Sequence, residues 1–392
     1  MPTTTPTSTC TARAALVSSD ADLACHTPQS PELRSGPVAQ GSSGAAESLA
    51  IACALVVCIV AHLPHHVMDA VGIRGWGATL VVAVAVVSGT RALARAPFTL
   101  IRSLAGGADT APALRRWAQS EVTTVVVTAV AGTALTVPLY ALLRSTPAWW
   151  LPAWLLFAVV TVAWQAAMPL AIKAQAGPLT DAPEPLGDRI RALAVRAEVE
   201  VPAGVAVAGK AGSRRCNAYV IGFGPARKVV LERGVAAWPH ELVDQVVAHE
   251  LGHLKLRHNA RRIPLTLLAQ LGTLAAAAAV LSFDPLLRLA GVTHAGDPRS
   301  YPLLIVAGAV IALPARCVLA WRDRAQERAA DRFALTLLGQ PHHFDAMLQR
   351  AADETGTPRT LTWWRRLTAT HPPVDERAAA VTLPFVVSPT GG

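Results

Sequence analysis

Five consecutive residues near the middle of the chain, His249 to His253, have the sequence His-Glu-Leu-Gly-His. Residues four positions apart lie on one face of a helix, so the imidazoles of His249 and His253 can bind the same metal ion. Glu250 lies beside that pair, where its carboxylate can accept a proton from a water molecule that the metal activates. The pattern is typical of zinc peptidases, and it predicts one Zn²⁺ ion per chain with Glu250 as the general base.

A catalytic zinc ion needs a third protein ligand, and one arrangement takes it from the segment directly after the second histidine. That arrangement requires glycine at position 256 and histidine at position 259, where this chain has Leu256 and Asn259. His258 comes one position too early, and a continuous helix would turn its side chain away from the two ligand histidines. The sequence therefore predicts no third ligand in this segment.

A glutamate on a second helix is the alternative third ligand. Glu327 is the strongest candidate, because Asp331 follows one helical turn later and can hold a ligand histidine through its second ring nitrogen. Glu354 and Glu376 have no such partner. The sequence predicts Glu327 as the third ligand and Asp331 as the residue that orients a histidine. Two solvated charges on an amphipathic helix are the competing interpretation.

The composition indicates that membrane helices position these residues. Hydrophobic residues make up 52% of the 392 residues and charged residues only 16%, whereas charged residues are about a quarter of an ordinary soluble protein. A helix needs about 17 to 20 apolar residues to cross a bilayer, and the sequence predicts about six such spans. The stretches are Leu49 to Ala61, Gly75 to Thr90, Val122 to Leu143, Ser145 to Ile172, Ile263 to Phe283 and Tyr301 to Ala315.

Arginines between these stretches predict the orientation of the chain. Arg74 and Arg144 are the only basic residues in the first and third connections, whereas the second connection contains several. Basic residues concentrate on the cytoplasmic side, so the active site and both termini of this multi-pass cell-membrane protein are expected to face the cytoplasm. This topology accounts for the net charge of +9, and no nucleic-acid partner is expected. The arginines of the second connection are Arg91, Arg95, Arg102, Arg115 and Arg116.

Five parts follow from this interpretation. Residues 1–45, rich in Thr, Ser, Pro and Gly, are expected to form a disordered tail. Residues 46–173 contain four transmembrane helices, residues 174–262 a peptidase segment, and residues 263–322 two further transmembrane helices. Residues 323–392 contain the third ligand and a C-terminal segment. The expected fold class is mainly α, a multi-pass helical membrane protein with a cytoplasmic-facing zincin-type α/β metallopeptidase unit.

Within the peptidase segment, the pattern predicts a small mixed α/β unit. Apolar residues with helical spacing run from Asp188 to Arg196. Short β-branched runs, separated by Gly and Pro, follow at Gly204 to Val207, Asn217 to Ile221 and Val229 to Leu231. A long helix that starts at about Pro239 is expected to carry the two histidines.

The metal is expected close to the membrane surface. His253 lies 10 residues before the fifth apolar stretch, and Glu327 lies 12 residues after the sixth. At 1.5 Å per helical residue, the metal would lie within roughly 15 to 18 Å of the point where each helix enters the bilayer. Substrates that are embedded in the bilayer or exposed beside it are therefore expected.

Four motifs in this order resemble those of the membrane gluzincins, the family that includes CAAX prenyl protease type 1 and the heat-shock membrane protease HtpX. The resemblance covers residues 185–380, and the earlier part of the chain is similar only in having several spans. Prenyl proteases have seven spans, where about six are expected here. The motifs are Asn217 to Gly224 with Val229 to Leu231, Ala248 to His253, Glu327 to Asp331, and Thr370 to Pro373 with Glu376 and Arg377.

The resemblance implies a zinc endopeptidase with His249, His253 and Glu327 as ligands and Glu250 as the general base. The expected function is hydrolysis of membrane-associated, lipidated or misfolded proteins, or of a specific precursor peptide, at the cytoplasmic membrane face. The expected partners are a protein or peptide substrate and the lipid bilayer. A membrane sensor whose protease domain cleaves itself or a repressor would use the same residues, but the loops are short for a ligand-binding domain.

Three further residues receive roles from the resemblance. Asn217 is implied to lie by a strand that aligns the substrate backbone, and His371 and Arg377 are implied to approach the cleft, where His371 would stabilise the oxyanion. By residue type alone, Asn217 is also compatible with a turn cap, His371 with a loop ended by proline, and Arg377 with pairing to a carboxylate.

Overall fold

The computed structural model describes residues 37–104, 110–201, 203–209, 216–222 and 224–382. Residues 1–36 of the predicted tail, residues 383–392 and Phe223 of the strand motif lie outside these ranges. The sequence predicts the tail up to residue 45, but the first described helix already begins at Pro37. Extending an existing helix costs far less than nucleating one, so the helix of the first span continues into this uncharged segment.

The described ranges contain fourteen α-helices and four β-strands. The helices are α1 (Pro37–Val60), α2 (Leu63–Val71), α3 (Trp76–Leu104), α4 (Thr110–Ser145), α5 (Trp150–Ala176), α6 (Leu186–Arg196), α7 (Arg233–Ala236), α8 (His240–Lys255), α9 (His258–Leu281), α10 (Asp284–Leu289), α11 (Tyr301–Leu338), α12 (Pro341–Thr355), α13 (Trp363–Thr368) and α14 (Val374–Thr382). The strands are β1 (Leu179–Asp181), β2 (Val205–Ala208), β3 (Ala218–Ile221) and β4 (Lys228–Glu232).

Five helices in the described ranges are long and apolar enough to cross a membrane, or six if one bent pair counts as a span. The five are α3, α4, α5, α9 and α11, and the pair is α1 with α2, bent by 60°. The bend coincides with His62, whose φ of 49° interrupts the helix. His62 and His65 contact the carbonyl oxygens of Leu289 and Gly291 at 3.0 and 3.1 Å, so the bend is tied to the end of α10 and the loop after it. The helices confirm a multi-pass membrane protein.

The last predicted span is only the first part of α11, a helix of 38 residues that ends at Leu338. It ends where Gly339 adopts a left-handed conformation with φ 65°. One continuous helix therefore connects the membrane span to Glu327. On the other side of the site, α8 and α9 are separate helices, because Arg257 between them has φ 53°. The distance estimate for His253 assumed one continuous helix and is wrong in that respect.

The four strands form one sheet in the order β1-β2-β4-β3. Strands β2 and β4 are parallel, and β1 and β3 pair antiparallel at the two edges. The sequence predicts β2, β3 and β4 but not β1, whose three residues are too few to show a periodic pattern. Helices α6 and α8 cover the sheet through a buried cluster that includes Ile190, Leu231 and Val247.

Close packing of α8 on α11 brings the two halves of the peptidase unit together. Gly252 lies at this contact, where a Cβ atom would be 3.1 Å from Cδ1 of Phe333 and 3.2 Å from Cα of Ala330. Leu251 next to it is fully buried in the core. The absence of a side chain at Gly252 allows α8 to approach α11 closely enough for residues of both helices to meet.

Candidate metal centre and peptidase site

Three side chains converge between α8 and α11. Nε2 of His249 and Nε2 of His253 lie 3.2 Å apart. The carboxylate of Glu327 faces both, with Oε2 3.5 Å from His249 Nε2 and Oε1 3.4 Å from His253 Nε2. One ligand atom from each residue lies within 4.8 Å of the others. The structure thus brings together the three residues that the sequence predicts as metal ligands.

The chemistry of this cluster fits a metal cation. Nε2 of His249 and Nε2 of His253 face each other at 3.2 Å, and the carboxylate of Glu327 lies 3.4 to 3.5 Å from both nitrogens. Three buried or half-buried groups that can each offer a lone pair converge on one point, which is costly unless something between them accepts those lone pairs. A cation would do so, and two imidazoles with one carboxylate are a common ligand set of catalytic metals.

Asp331 and Arg377 form a second layer behind His249. Oδ1 of Asp331 lies 2.9 Å from Nδ1 of His249, the ring nitrogen that points away from the cluster. Arg377 donates hydrogen bonds from Nε to Asp331 Oδ2 at 2.8 Å and from Nη2 to Oδ1 at 2.5 Å. This contact between Asp331 and His249 is the one that the sequence predicts. Arg377 thus pairs with a carboxylate, which is the alternative that its residue type suggested.

His258 occupies a position that the sequence does not predict. Its Nδ1 atom lies 2.9 Å from Nδ1 of His253, and the residue is buried. The expectation that His258 faces away is wrong, because α8 ends at Lys255 and Arg257 turns the chain so that α9 begins at His258. His258 therefore contacts the outer ring nitrogen of His253, as Asp331 contacts that of His249.

His371 lies on the loop between α13 and α14 and reaches the cluster from outside. Its Nδ1 atom is 2.9 Å from Oε2 of Glu327, while 68% of its side chain is exposed. The Glu327 carboxylate raises the pKa of His371 because it stabilises the imidazolium. His371 is therefore a partly exposed proton donor at the open side of the cluster.

Glu250 is partly buried and lies on α8 directly after His249. Burial raises its pKa to about 7, because the surrounding protein disfavours the charged carboxylate, although the nearby charge of His249 acts in the opposite direction. A carboxylate with such a pKa can both accept and release a proton near neutral pH.

The two histidines of the cluster have pKa values shifted in opposite directions. Burial opposes the charged form of His249, but the carboxylates of Asp331 and Glu327 outweigh burial and raise its pKa to about 9. Burial and the charge of His249 lower the pKa of His253 to about 4. His249 must therefore lose a proton before it binds a metal at neutral pH, whereas His253 is already neutral.

Asn217 lies directly before the edge strand β3. Its Oδ1 accepts a hydrogen bond from the amide of Ala218 at 2.9 Å, and its carbonyl oxygen accepts one from Glu232 at 2.8 Å. The strand β3 pairs on one side with β4 and packs near α8. The structure places Asn217 at the start of a strand beside the site, and its side chain caps that start.

Sequence reasoning missed His258 as a contact of the site. A helix that continued past residue 255 would have pointed it elsewhere, and a left-handed arginine has no sequence signal. The sequence does contain three histidines and one glutamate within the ten positions from 249 to 258. This clustering indicates a contact between His258 and His253 only when the break between α8 and α9 is known.

Together, a multi-pass helical bundle and a histidine, histidine and glutamate cluster on a small α/β unit define a membrane metallopeptidase. The chain belongs to peptidase family M48, whose profile matches residues 184–384. Its fold is similar to that in the crystal structure of S. mikatae Ste24p, with a TM-score of 0.64, 15% sequence identity, and coverage of 79% of this chain and 77% of that chain. A sequence search of curated proteins gave no match. The predicted class of membrane metallopeptidase is confirmed.

Proposed function

We propose that this metalloprotease is a zinc-dependent endopeptidase that acts at the cytoplasmic membrane face. Its substrates would be membrane-associated, lipidated or misfolded proteins, or a specific precursor peptide. The observation that carries the proposal is the convergence of His249, His253 and Glu327 within 4.8 Å, with Glu250 beside them. Zn²⁺ takes this ligand set in peptidases and keeps a fourth position open for chemistry.

His249, His253 and Glu327 would hold a zinc ion, which would supply Lewis-acid activation for a water molecule and for the scissile carbonyl. Glu250 accepts the proton of that water and then donates it to the leaving amine, for which its pKa of about 7 is suitable. His371, on the open side, donates a hydrogen bond to the oxyanion of the scissile carbonyl. Asp331 holds the ring of His249 in one orientation throughout.

Binding of the substrate as an extended strand is supported by the position of β3. This strand is at the edge of the sheet and near α8. A sheet edge can pair with the backbone of an extended peptide whatever its side chains are. Asn217 fixes the start of β3 through its hydrogen bond to Ala218, so its role would be to hold the strand that aligns the substrate.

Substrates at the membrane are supported by the continuity of α11. Trp321, largely exposed and at the end of the apolar part of this helix, lies six residues before Glu327. At 1.5 Å per residue, this separation corresponds to about 9 Å along the helix axis. A peptide bond can therefore reach the cluster while the substrate is still attached to the bilayer.

The cytoplasmic placement is supported by the arginines that extend α3 and α4 beyond their apolar parts. Single cysteines test it in sealed vesicles. A membrane-impermeant maleimide should label Ala111→Cys only from the cytoplasmic side and Thr293→Cys only from the other side, both positions being exposed. Labelling in the reverse pattern would place the site on the opposite face.

Catalytic roles are separated by two substitutions in the purified protein. Glu250→Gln should keep zinc and substrate binding but lower turnover by about 10² to 10⁴, because only the base is lost. His249→Ala should lose zinc and activity together, and Glu327→Ala should lower zinc affinity by at least about tenfold. Near-normal turnover of zinc-loaded Glu250→Gln on casein would contradict the mechanism. Proteins that co-purify with Glu250→Gln from native membranes would identify the substrate.

A further inference from the structure

The short helix α13 carries apolar side chains that the described protein covers only in part. Trp363, Trp364 and Leu367 are exposed by 72%, 48% and 48%, and none of its residues is buried. The two tryptophan rings contact each other edge to face, with centroids 5.8 Å apart. A helix of six residues is too short to be stable in water by its own hydrogen bonds. Contact with α11 holds this helix in place, but it leaves the tryptophan pair open to another surface.

Arg324 of α11 fixes the position of α13 relative to the membrane. Its Nη1 atom donates a hydrogen bond of 2.6 Å to the carbonyl oxygen of Ala369, the residue that follows α13. Arg324 comes three residues after Trp321, which is 63% exposed at the end of the apolar part of α11. Three residues correspond to about 4.5 Å along a helix. The end of α13 therefore lies within the reach of one arginine side chain from the part of α11 that follows Trp321.

An independent ion pair marks the same level of the bundle. Asp323, next to Arg324 and buried, pairs at 3.1 Å with Arg262 of α9. Arg262 is the last charged residue before the apolar part of α9. The charged ends of two spanning helices thus meet at one height, which is close to the expected boundary between the acyl chains and the headgroups.

The charge of α13 fits that boundary as well. Arg365 and Arg366 are both exposed and the helix itself contains no acidic residue, although Arg366 also pairs with Glu376 of α14 at 3.5 Å. Tryptophan is enriched at the interface between lipid and water, and each arginine near an anionic surface adds attraction to lipid phosphates. The apolar and basic side chains of α13 together have the composition of an interfacial anchor.

We propose that α13 is a membrane-interface anchor, with Trp363, Trp364 and Leu367 inserted at the acyl boundary and Arg365 and Arg366 bound to anionic phospholipid headgroups. Its lipid contact continues the lipid-facing surface of α11 past Trp321. A bound peptide is the competing occupant of the tryptophan pair. Lipid is the favoured occupant because α13 lies near the exposed Trp321 of α11 and contains no acidic residue.

This anchor would control the loop that carries His371. Only Ala369 and Thr370 separate α13 from His371, whose Nδ1 atom lies 2.9 Å from Glu327. An immobilised α13 restricts the positions available to this loop, so anionic lipid would order the open side of the metal centre. This consequence rests on the proposed peptidase function, whereas the anchoring itself does not.

Hydrogen–deuterium exchange of the full chain tests the anchor without any measurement of hydrolysis. The protein is placed in nanodiscs of phosphatidylcholine alone or of phosphatidylcholine mixed with phosphatidylglycerol. We expect the amides of residues 363–368 to exchange at least about tenfold more slowly with phosphatidylglycerol, because two arginines gain headgroup contacts. Exchange in α8 should be the same in both lipids, which also verifies the fold.

Two double variants distinguish the contribution of the arginines from that of the tryptophans. Arg365→Gln with Arg366→Gln should remove the difference between the lipids, and Trp363→Ser with Trp364→Ser should remove protection in both. Arg332→Gln, an exposed arginine elsewhere on α11, is the matched control and should leave the difference intact. Equal exchange of residues 363–368 in both lipids would overturn the proposal. Protection that appears only when casein is added would assign the surface to a peptide.

Discussion

Nδ1 of His258 lies 2.9 Å from Nδ1 of His253, across the break between α8 and α9. This contact leaves Nε2 of His253 free to face the metal cluster, where it lies 3.4 Å from Glu327. A ligand histidine commonly uses its second nitrogen to contact a neighbour that fixes the tautomer and the ring orientation. His258 is therefore positioned to set the orientation of one ligand, and Asp331 that of the other.

Replacing His258 with alanine should lower zinc affinity by about tenfold to a hundredfold, because the ring of His253 loses its fixed orientation. Competition with a fluorescent chelator measures the dissociation constant. His240→Ala is a suitable control, since this histidine lies at the other end of α8 with 65% of its side chain exposed. An unchanged zinc affinity in His258→Ala would show that the contact has no influence on the metal.

The close approach of α8 to α11 predicts a strong effect of one added methyl group. In Gly252→Ala, the new Cβ would lie 3.1 Å from Phe333 and 3.2 Å from the backbone of Ala330. The helices must move apart by a few tenths of an ångström, which separates His253 from Glu327. We expect lower thermal stability and weaker zinc binding, because overpacking costs about 1–3 kcal/mol.

Gly272→Ala provides the matched control for that substitution. A Cβ at Gly272 in α9 would have no atom within 4 Å, and alanine is the better helix former. Its melting temperature should therefore equal or exceed that of the unmodified protein. If Gly252→Ala behaves like Gly272→Ala in both melting temperature and zinc affinity, the helix contact does not position the ligands.

The cluster of His249, His253 and Glu327 was predictable from sequence because it follows from helix geometry. His249 and His253 are four residues apart, and Glu327 is four residues before Asp331, so one face of each helix is fixed by spacing alone. The contact of Asp331 with His249 follows from the same rule. These residues can be predicted from their spacing if one assumes only that the two helices meet. No other feature of the three-dimensional fold is required.

Other parts of the site depend on features that spacing does not encode. A left-handed conformation at Arg257, with φ 53°, turns His258 toward His253, and arginine gives no sign of this in sequence. The strand β1 has only three residues and forms because β2 offers it a partner edge. The length of α11 could not be predicted from its apolar stretch either. Charged residues end a membrane span but do not end a helix, so α11 continues beyond the span.

Zinc affinity should depend steeply on pH. The carboxylates of Asp331 and Glu327 raise the pKa of His249 to about 9 despite burial, and only the neutral imidazole binds metal. Below pH 9 each zinc ion must displace one proton from His249. The apparent dissociation constant should therefore rise about tenfold for each unit by which the pH is lowered from 9 to 7.

Titration with zinc at several pH values in weakly buffered solution checks this expectation, because about one proton should be released per ion bound by His249 near neutral pH. Asp331→Asn removes one of the carboxylates that raise the pKa of His249. The pH dependence in that variant should shift to lower pH. A pH-independent affinity between 7 and 9 would mean that His249 is already neutral in that range.

Arg377 is expected to contribute to the site through Asp331. Its guanidinium makes two hydrogen bonds to Asp331, and only 14% of its side chain is exposed. If Arg377 acts by holding Asp331 against His249, Arg377→Gln and Asp331→Asn remove parts of one arrangement. Their effects on zinc affinity should then be non-additive, so that the double variant resembles Asp331→Asn alone.

A double-mutant cycle with KM measured beside zinc affinity tests this role. Asp331→Asn alone should weaken zinc binding by about tenfold to a hundredfold, and adding Arg377→Gln should change neither zinc affinity nor KM further. A direct contact between Arg377 and the substrate would instead raise KM in the Arg377→Gln background even when Asp331 is already replaced. Because the guanidinium is buried behind the ligand histidine rather than at the open side occupied by His371, we expect the first result.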